Sequence, residues 1–222
     1  MKIYTGGTND PEKLLMLRKY DVGIMISSMP NILTPKHYGE FSCALDNGAF
    51  ACHRKGYPFQ EEVFFKTISS AYKNGIVLDF IVCPDIVCGG KKSLKFSMEW
   101  SNKLIGTPNL ALAVQDGVEP KDILNLTGSL LSNFTYIFVG GSPEWKKRTS
   151  KDWVSFAHNE NMKCHIGQIG TLDGLRFSEK IGADSVDSTS FVRNGSWHIL
   201  ENFYNETSLF KMTNLTAKQE ER

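Results

Sequence analysis

Short apolar runs alternate along this chain with longer stretches whose apolar residues recur at helical spacing. The short runs are KIYTGG (2–7), VGIMIS (22–27), CALDNG (43–48), FIVCPD (80–85), LALAVQ (110–115), YIFVGG (136–141), CHIGQIG (164–170) and DSVDS (184–188). Most are apolar at consecutive positions, which is how strands buried on both faces read. Helical patterns fill 59–75, 92–106, 120–132, 150–161 and 171–182, the last with Thr171 as N-cap and Asp173 in its first turn. Residues 28–42 carry no clear helical pattern. Buried strands alternating with helices predict an α/β fold, a compact (β/α)8 TIM-type barrel, with a doubly wound sheet as the structural competitor. The barrel is expected as a single catalytic unit over residues 1–204. The polar segment 205–222 is expected to be a tail or a peripheral helix.

Composition narrows this picture without changing it. The chain has 222 residues, enough for one sizeable core. Its formal charge of +1 creates no overall field for polyanions, so any such site must be local. No run approaches the roughly 18 apolar residues of a membrane span, so no membrane partner is expected. The first residues, MKIYTGG, have no apolar signal-peptide core. Five scattered cysteines do not make a disulfide framework, and an intracellular, cytoplasmic setting is expected.

The chemistry gathers at the ends of the runs. Asp46-Asn47-Gly48, Pro84-Asp85, Gln115-Asp116-Gly117, Gly140-Gly141-Ser142 and Gly167-Gln168-Ile169-Gly170 each follow an apolar run, and Asp184 and Asp187 bracket the last. Singly, each is ordinary turn chemistry. In a barrel all strand ends of one sense meet at one face, where active sites of this fold lie. Asp46, Asp85, Gln115 and Asp187 would then face one pocket, fit for acid/base or nucleophilic work.

These residues resemble a family. The stretch IGQIGTLDGLRFSEKIGADSVDSTSFVRNG (166–195) is similar to the last barrel segment of the tRNA-guanine transglycosylase superfamily. LDNGAF (45–50) resembles its Asp-Ser-Gly-Gly-Phe motif, CPDIV its substrate-reading Asp, VQDG (114–117) its Val-Gln-Gly, and FVGGS (138–142) its Gly-Gly turn. The motifs keep the family's order over roughly residues 43–195. The chain departs from the pattern in DNGAF, in Asp116 where the family has Gly, and in lacking the Cys-x-Cys-x-x-Cys…His zinc site. It thereby resembles the viral and bacterial branch that places 7-deazaguanines into DNA.

The resemblance implies a DNA-guanine transglycosylase, a pentosyltransferase, working through a covalent glycosyl-aspartate. Asp187 would be the nucleophile and Asp46 the general acid/base. Asp85 would read guanine N1–H and the exocyclic amine, Gln115 would donate to O6, and Gly140, Gly141 and Gly167 would let backbone approach the base. Lys146, Lys147 and Arg148, with the stacking residue Trp145, and also KKSLK (91–95) and Arg193, would grip phosphates. Partners would be nucleic acid, DNA before tRNA, and a free 7-deazaguanine base; a protein partner is left open. No metal and no cofactor is expected, and His165 reads as a core histidine. Asp184 reads as a scaffold partner for Arg193 or nearby backbone. The alternatives are a tRNA-guanine transglycosylase, a non-catalytic nucleic-acid-binding barrel subunit, and a barrel enzyme acting on a phosphorylated sugar.

Overall fold

The computed structural model describes residues 1–30 and 34–206, the side chains of 125–130 excepted. Among the described residues eight parallel strands close into a barrel in sequence order. They are β1 (Lys2–Gly6), β2 (Gly23–Ser27), β3 (Cys43–Asp46), β4 (Leu78–Val82), β5 (Leu110–Val114), β6 (Phe134–Val139), β7 (Lys163–Ile166) and β8 (Ser185–Asp187). The last strand pairs with the first through Lys2↔Ser185, Ile3↔Val186 and Tyr4↔Asp187. The barrel read from the hydrophobic pattern is therefore the fold, and the doubly wound sheet is not.

Helices α1 (Pro11–Lys19), α2 (Ala49–Arg54), α3 (Glu61–Lys73), α4 (Lys91–Lys103), α5 (Pro120–Thr127), α6 (Pro143–Asn159), α7 (Leu172–Lys180) and α8 (Ser190–Asn194) follow the strands. A further helix covers 197–206 and takes in the first two residues of the segment expected as a tail or peripheral helix; its residues 207–222 lie outside the described ones. Local chemistry sets the helix starts. Asp10 caps α1 by accepting from the Glu12 and Lys13 amides, Ser142 caps α6 through the Trp145 amide, and Thr171 caps α7 through the Gly174 amide. Helices α1, α2 and α8 lie outside the five helical patterns of the sequence, and α6 starts earlier than its own. α2 opens three residues after Asp46, and α6 begins at Pro143 rather than 150. Pro143 sits at the start of α6, where its fixed φ helps and its missing N–H costs nothing. In 28–42 the chain forms a short 3₁₀ turn at Lys36–Glu40.

Strand alternation divides the core in two. Outward residues such as Ile3, Ile24, Leu45, Ile81, Leu112, Ile137 and Val186 pack against Leu17, Phe64, Leu94, Trp153 and Leu175 of the helices. Inward residues Tyr4, Met25, Ala44, Phe80, Val82, Ala111, Ala113 and Tyr136, with Phe138 beside them, fill the barrel. The filling is aromatic. Phe80 lies 4.6 Å from Tyr136 and 5.0 Å from the His165 ring, centroid to centroid.

Polar groups at the amino-terminal mouth are tied into the scaffold. Tyr4 donates its hydroxyl to Asp79 at 2.8 Å. Asp184 accepts from the Cys164 amide at 2.8 Å and meets His158 Nε2 at 2.9 Å. It is a scaffold residue held by backbone, as one of its two expectations has it, and Arg193 is not among its partners. Replacing the fully buried Phe80 with Ala should lower unfolding free energy by about 3–5 kcal/mol, because the closed barrel cannot collapse onto the cavity. Urea unfolding followed by tryptophan fluorescence measures this.

Candidate active site

The carboxyl-terminal mouth inherits the strand alternation. With Ala44 inward, Asp46 is inward; with Ala113 inward, so is Gln115; with Phe138, Gly140; with His165, Gly167; with Ser185, Asp187. One ring of positions thus carries two carboxylates, a carboxamide and two glycines, and Asp85 reaches it from the loop after β4. Closure sets Asp187 beside Tyr4, so β8, β1, β2 and β3 form the arc between Asp187 and Asp46.

Asp46 is strongly perturbed. Burial, then the charge of Asp187, then that of Asp85 push its carboxyl up from 3.8 to about 7. The Gly48 amide, donating to Oδ2 at 3.2 Å, pulls the other way without prevailing. Gly48 adopts φ 78°, and a Cβ there would lie 2.3 Å from the Ser28 carbonyl oxygen, so this tight turn requires glycine. The neighbouring Asn47 accepts from the Ala49 amide at 2.7 Å, starting α2, and donates to Asp85 Oδ1 at 2.9 Å and the Cys83 carbonyl at 2.8 Å. Asp46-Asn47-Gly48 is both a turn and part of the site.

Asp85 is held from both sides. Asn47 donates to Oδ1, and Gln115 Nε2 donates to Oδ2 at 3.0 Å. Burial raises its carboxyl above the ordinary range, and these two hydrogen bonds limit the rise. Gln115 is itself buried, and its amine also reaches the Ile86 carbonyl at 2.9 Å and Ser93 Oγ at 2.8 Å. Two amide hydrogens facing three oxygens leave none for a ligand. The expectation that Gln115 donates to a base O6 is therefore corrected: its amide is turned inward and orients Asp85.

Asp116 explains its own departure from glycine. Its carboxylate accepts from the Ser142 amide at 2.7 Å and the Ser142 hydroxyl at 2.6 Å. Burial opposes its charge, but Ser142 outweighs burial and holds the carboxyl below the ordinary range. The clamp fixes the Gly140-Gly141 turn, in which Gly141 takes φ 79°.

The basic residues divide. Lys147, Arg148 and Arg193 are exposed, the first two in the opening turns of α6. Lys146 is buried, donates to the Gly167 carbonyl at 2.6 Å, and has its ammonium pKa lowered by burial against the pull of Asp187 and Asp116. It supports the β7 turn and is not presented to phosphates, a correction to the expectation that it grips them. Its segment is helical, and Trp145 and Lys146 lie on the core-facing side. Trp145, read as a stacking residue, is buried against Trp153 with ring centroids 6.2 Å apart. In KKSLK, Lys91 is paired with Asp122 at 2.7 Å.

The sequence reading missed the neighbours of Asp187. Its Oδ1 lies 3.0 Å from His165 Nε2 and accepts from the Gln168 amide at 3.2 Å. The signal was present: His165 stands two residues before Gly167 on one strand, hence on the same inward face. Among the described residues no group of three or more His, Cys, Asp or Glu side chains is placed to hold a metal ion, and no helix is long and apolar enough to cross a membrane.

Fold and mouth together define a (β/α)8 barrel with a carboxylate-lined carboxyl-terminal mouth. No protein-family model matches the sequence, and no curated protein matches it.

The crowding of carboxylates is open to measurement. Carboxyl ¹³C NMR should find Asp46 titrating at about 7 and, in Asp187→Asn, at a lower value, because a like charge has been removed. The raised value also has a stability cost. The folded state holds the Asp46 proton more tightly than the unfolded chain, so stability is lost as pH rises from 3.8 to about 7. Asp46→Asn should therefore be more stable than the wild type above pH 7, and that advantage should shrink to nothing as pH falls towards 4 in urea titrations.

Proposed function

We propose that this protein is a guanine transglycosylase that exchanges guanine in nucleic acid, DNA before tRNA, for a free 7-deazaguanine base. One observation carries the reading: three carboxylates share one mouth, and the charges of two help hold the third near neutrality. Base exchange at a sugar needs a nucleophile that stays ionised and an acid/base that changes state near pH 7.

Asp187 attacks C1′ with a carboxylate oxygen, and the C1′–N9 bond breaks. The electron pair leaves with guanine, which takes a proton from Asp46. The oxocarbenium-like transition state is stabilised by the nearby negative charge, and collapse gives a glycosyl ester. The incoming 7-deazaguanine gives its ring N–H proton to Asp46 and attacks C1′ with that nitrogen. The ester bond breaks, Asp187 regains its charge, and two inversions leave the configuration retained.

Asp85 presents lone pairs to guanine N1–H and the exocyclic amine, with Asn47 and Gln115 fixing its plane. Gly140 and Gly167 admit the ring edge close to backbone, while Gly141, packed against Asp116 and Trp145, serves the turn rather than, as expected, the base. The target base must leave its stack to reach this depth. Exposed Lys147 and Arg148, with Arg193, supply cations for the flanking phosphates. The proposal of DNA as polymer rests on the likeness to the DNA-modifying branch.

Incubation with labelled guanine or a 7-deazaguanine and either duplex DNA or tRNA, followed by digestion to nucleosides, should place label in DNA. Label in neither polymer would overturn the transglycosylase reading, and label in tRNA alone would overturn the choice of polymer. Asp187→Ala should lower exchange by more than about 10³-fold while nucleic-acid binding, read by fluorescence anisotropy, persists. In Asp85→Ala the preference for guanine over adenine as the exchanged base should fall by at least about tenfold; an unchanged ratio would refute its reading role.

A further inference from the structure

Asp187 does not stand alone in the barrel wall. β7 and β8 pair with His165 opposite Ser185, and Asp187 lies two residues further along the same inward face. The three side chains form a line. Ser185 Oγ is 2.9 Å from His165 Nδ1, and His165 Nε2 is 3.0 Å from Asp187 Oδ1. The imidazole is fully buried, stacked on Phe138 at 5.0 Å and 12°, with Phe80 and Tyr4 around it. An apolar slot of this kind holds the ring in one orientation and denies it water.

The turn after β7 adds a second constraint. Gln168 sits at φ 59°, in the left-handed region that non-glycine residues rarely adopt, and its amide donates to the same Oδ1 at 3.2 Å. Lys146 holds the preceding carbonyl, that of Gly167, at 2.6 Å. Oδ1 is thus met by two donors, whereas Oδ2 has no hydrogen-bond partner among the described residues.

We propose that His165 is a positioning residue for the nucleophile: with its ring fixed by Ser185, it holds Asp187 Oδ1 and leaves Oδ2 to attack the sugar carbon. The proposal rests on the transglycosylase reading and deepens it. An ionised carboxylate only accepts, so Nε2 carries the hydrogen, and in the neutral ring Nδ1 accepts from the Ser185 hydroxyl. The arrangement also serves the second half of the exchange. When C1′–Oδ2 breaks, the electron pair returns to the carboxylate and spreads onto Oδ1, where the His165 N–H and the Gln168 N–H already point.

The test compares His165→Phe, His165→Gln and Ser185→Ala in the exchange assay, with ¹⁵N NMR of histidine-labelled protein beside it. His165→Phe keeps the stacking and loses the donor. Its kcat should fall about 10- to 100-fold with KM unchanged. His165→Gln, which can offer an amide N–H, should recover part of that loss. Ser185→Ala keeps the imidazole, so it tests the line even where a ring substitution impairs folding; it should lower kcat several-fold and admit the other tautomer. In the wild type the ¹⁵N spectrum should show hydrogen on Nε2 and none on Nδ1 of His165 at neutral pH. An unchanged kcat in His165→Phe, or hydrogen on Nδ1 alone, would overturn the proposal. A wild-type protein without exchange activity would instead refute the transglycosylase reading, and the ¹⁵N spectrum would still decide whether His165 donates to Asp187.

Discussion

Everything at the mouth depends on the pairing of β8 with β1. Only three residue pairs make that seam, yet it returns Asp187 to within electrostatic reach of Asp46, far away in the chain. An open sheet with the same strand order would leave Asp187 on an edge strand, away from β3, and its charge would no longer help push the Asp46 carboxyl up. Closure is therefore the source of the crowding, and crowding with burial is the source of the near-neutral Asp46. The scaffold invests in this seam: the Lys2 amide donates to the Asp184 carbonyl at its start, and the Ser188 amide donates to the Tyr4 carbonyl at its end.

The acids have been given different environments. Asp85 is enclosed by donors on both oxygens, which fixes its orientation and limits how far burial raises it. Asp187 has donors on one oxygen. Asp46 has only the Gly48 and Asn47 amides to oppose burial, and it feels both neighbouring charges. Three identical side chains thus sit in three environments, one held on both oxygens, one held on a single oxygen, and one pushed towards its neutral form. The difference lies in what surrounds them: Asn47 and Gln115 in one case, His165 and the strained Gln168 amide in another.

Much of this was legible in the sequence. Consecutive apolar runs gave away the strands because both faces of a barrel strand are buried, and polar punctuation at their ends gave away Asp46, Asp85 and Asp187. Side-chain direction beyond the strand ends was not legible. Lys146 and Trp145 read as a surface grip only while Ser142 and Pro143 are passed over as a helix start; once α6 begins there, it turns some of its residues inward. Gln115 has the right residue type at the right place, but its hydrogens are committed by Ile86 and Ser93, from a loop and helix whose approach no local pattern encodes. His165 read as core, and it is core; what the sequence left out is that the core here touches the site.

The two inward glycines of the upper ring differ in the room beside them. At Gly140 an added methyl would meet its nearest neighbours at 3.4 and 3.8 Å, ordinary packing distances, while at Gly167 it would press Phe138 at 3.0 Å and stand 3.5 Å from Asp187 Oδ1. Neither glycine has a left-handed backbone, so their smallness serves space and not conformation. A methyl group would therefore enter at Gly140 with little displacement, whereas at Gly167 it would have to move Phe138, the ring on which His165 is stacked.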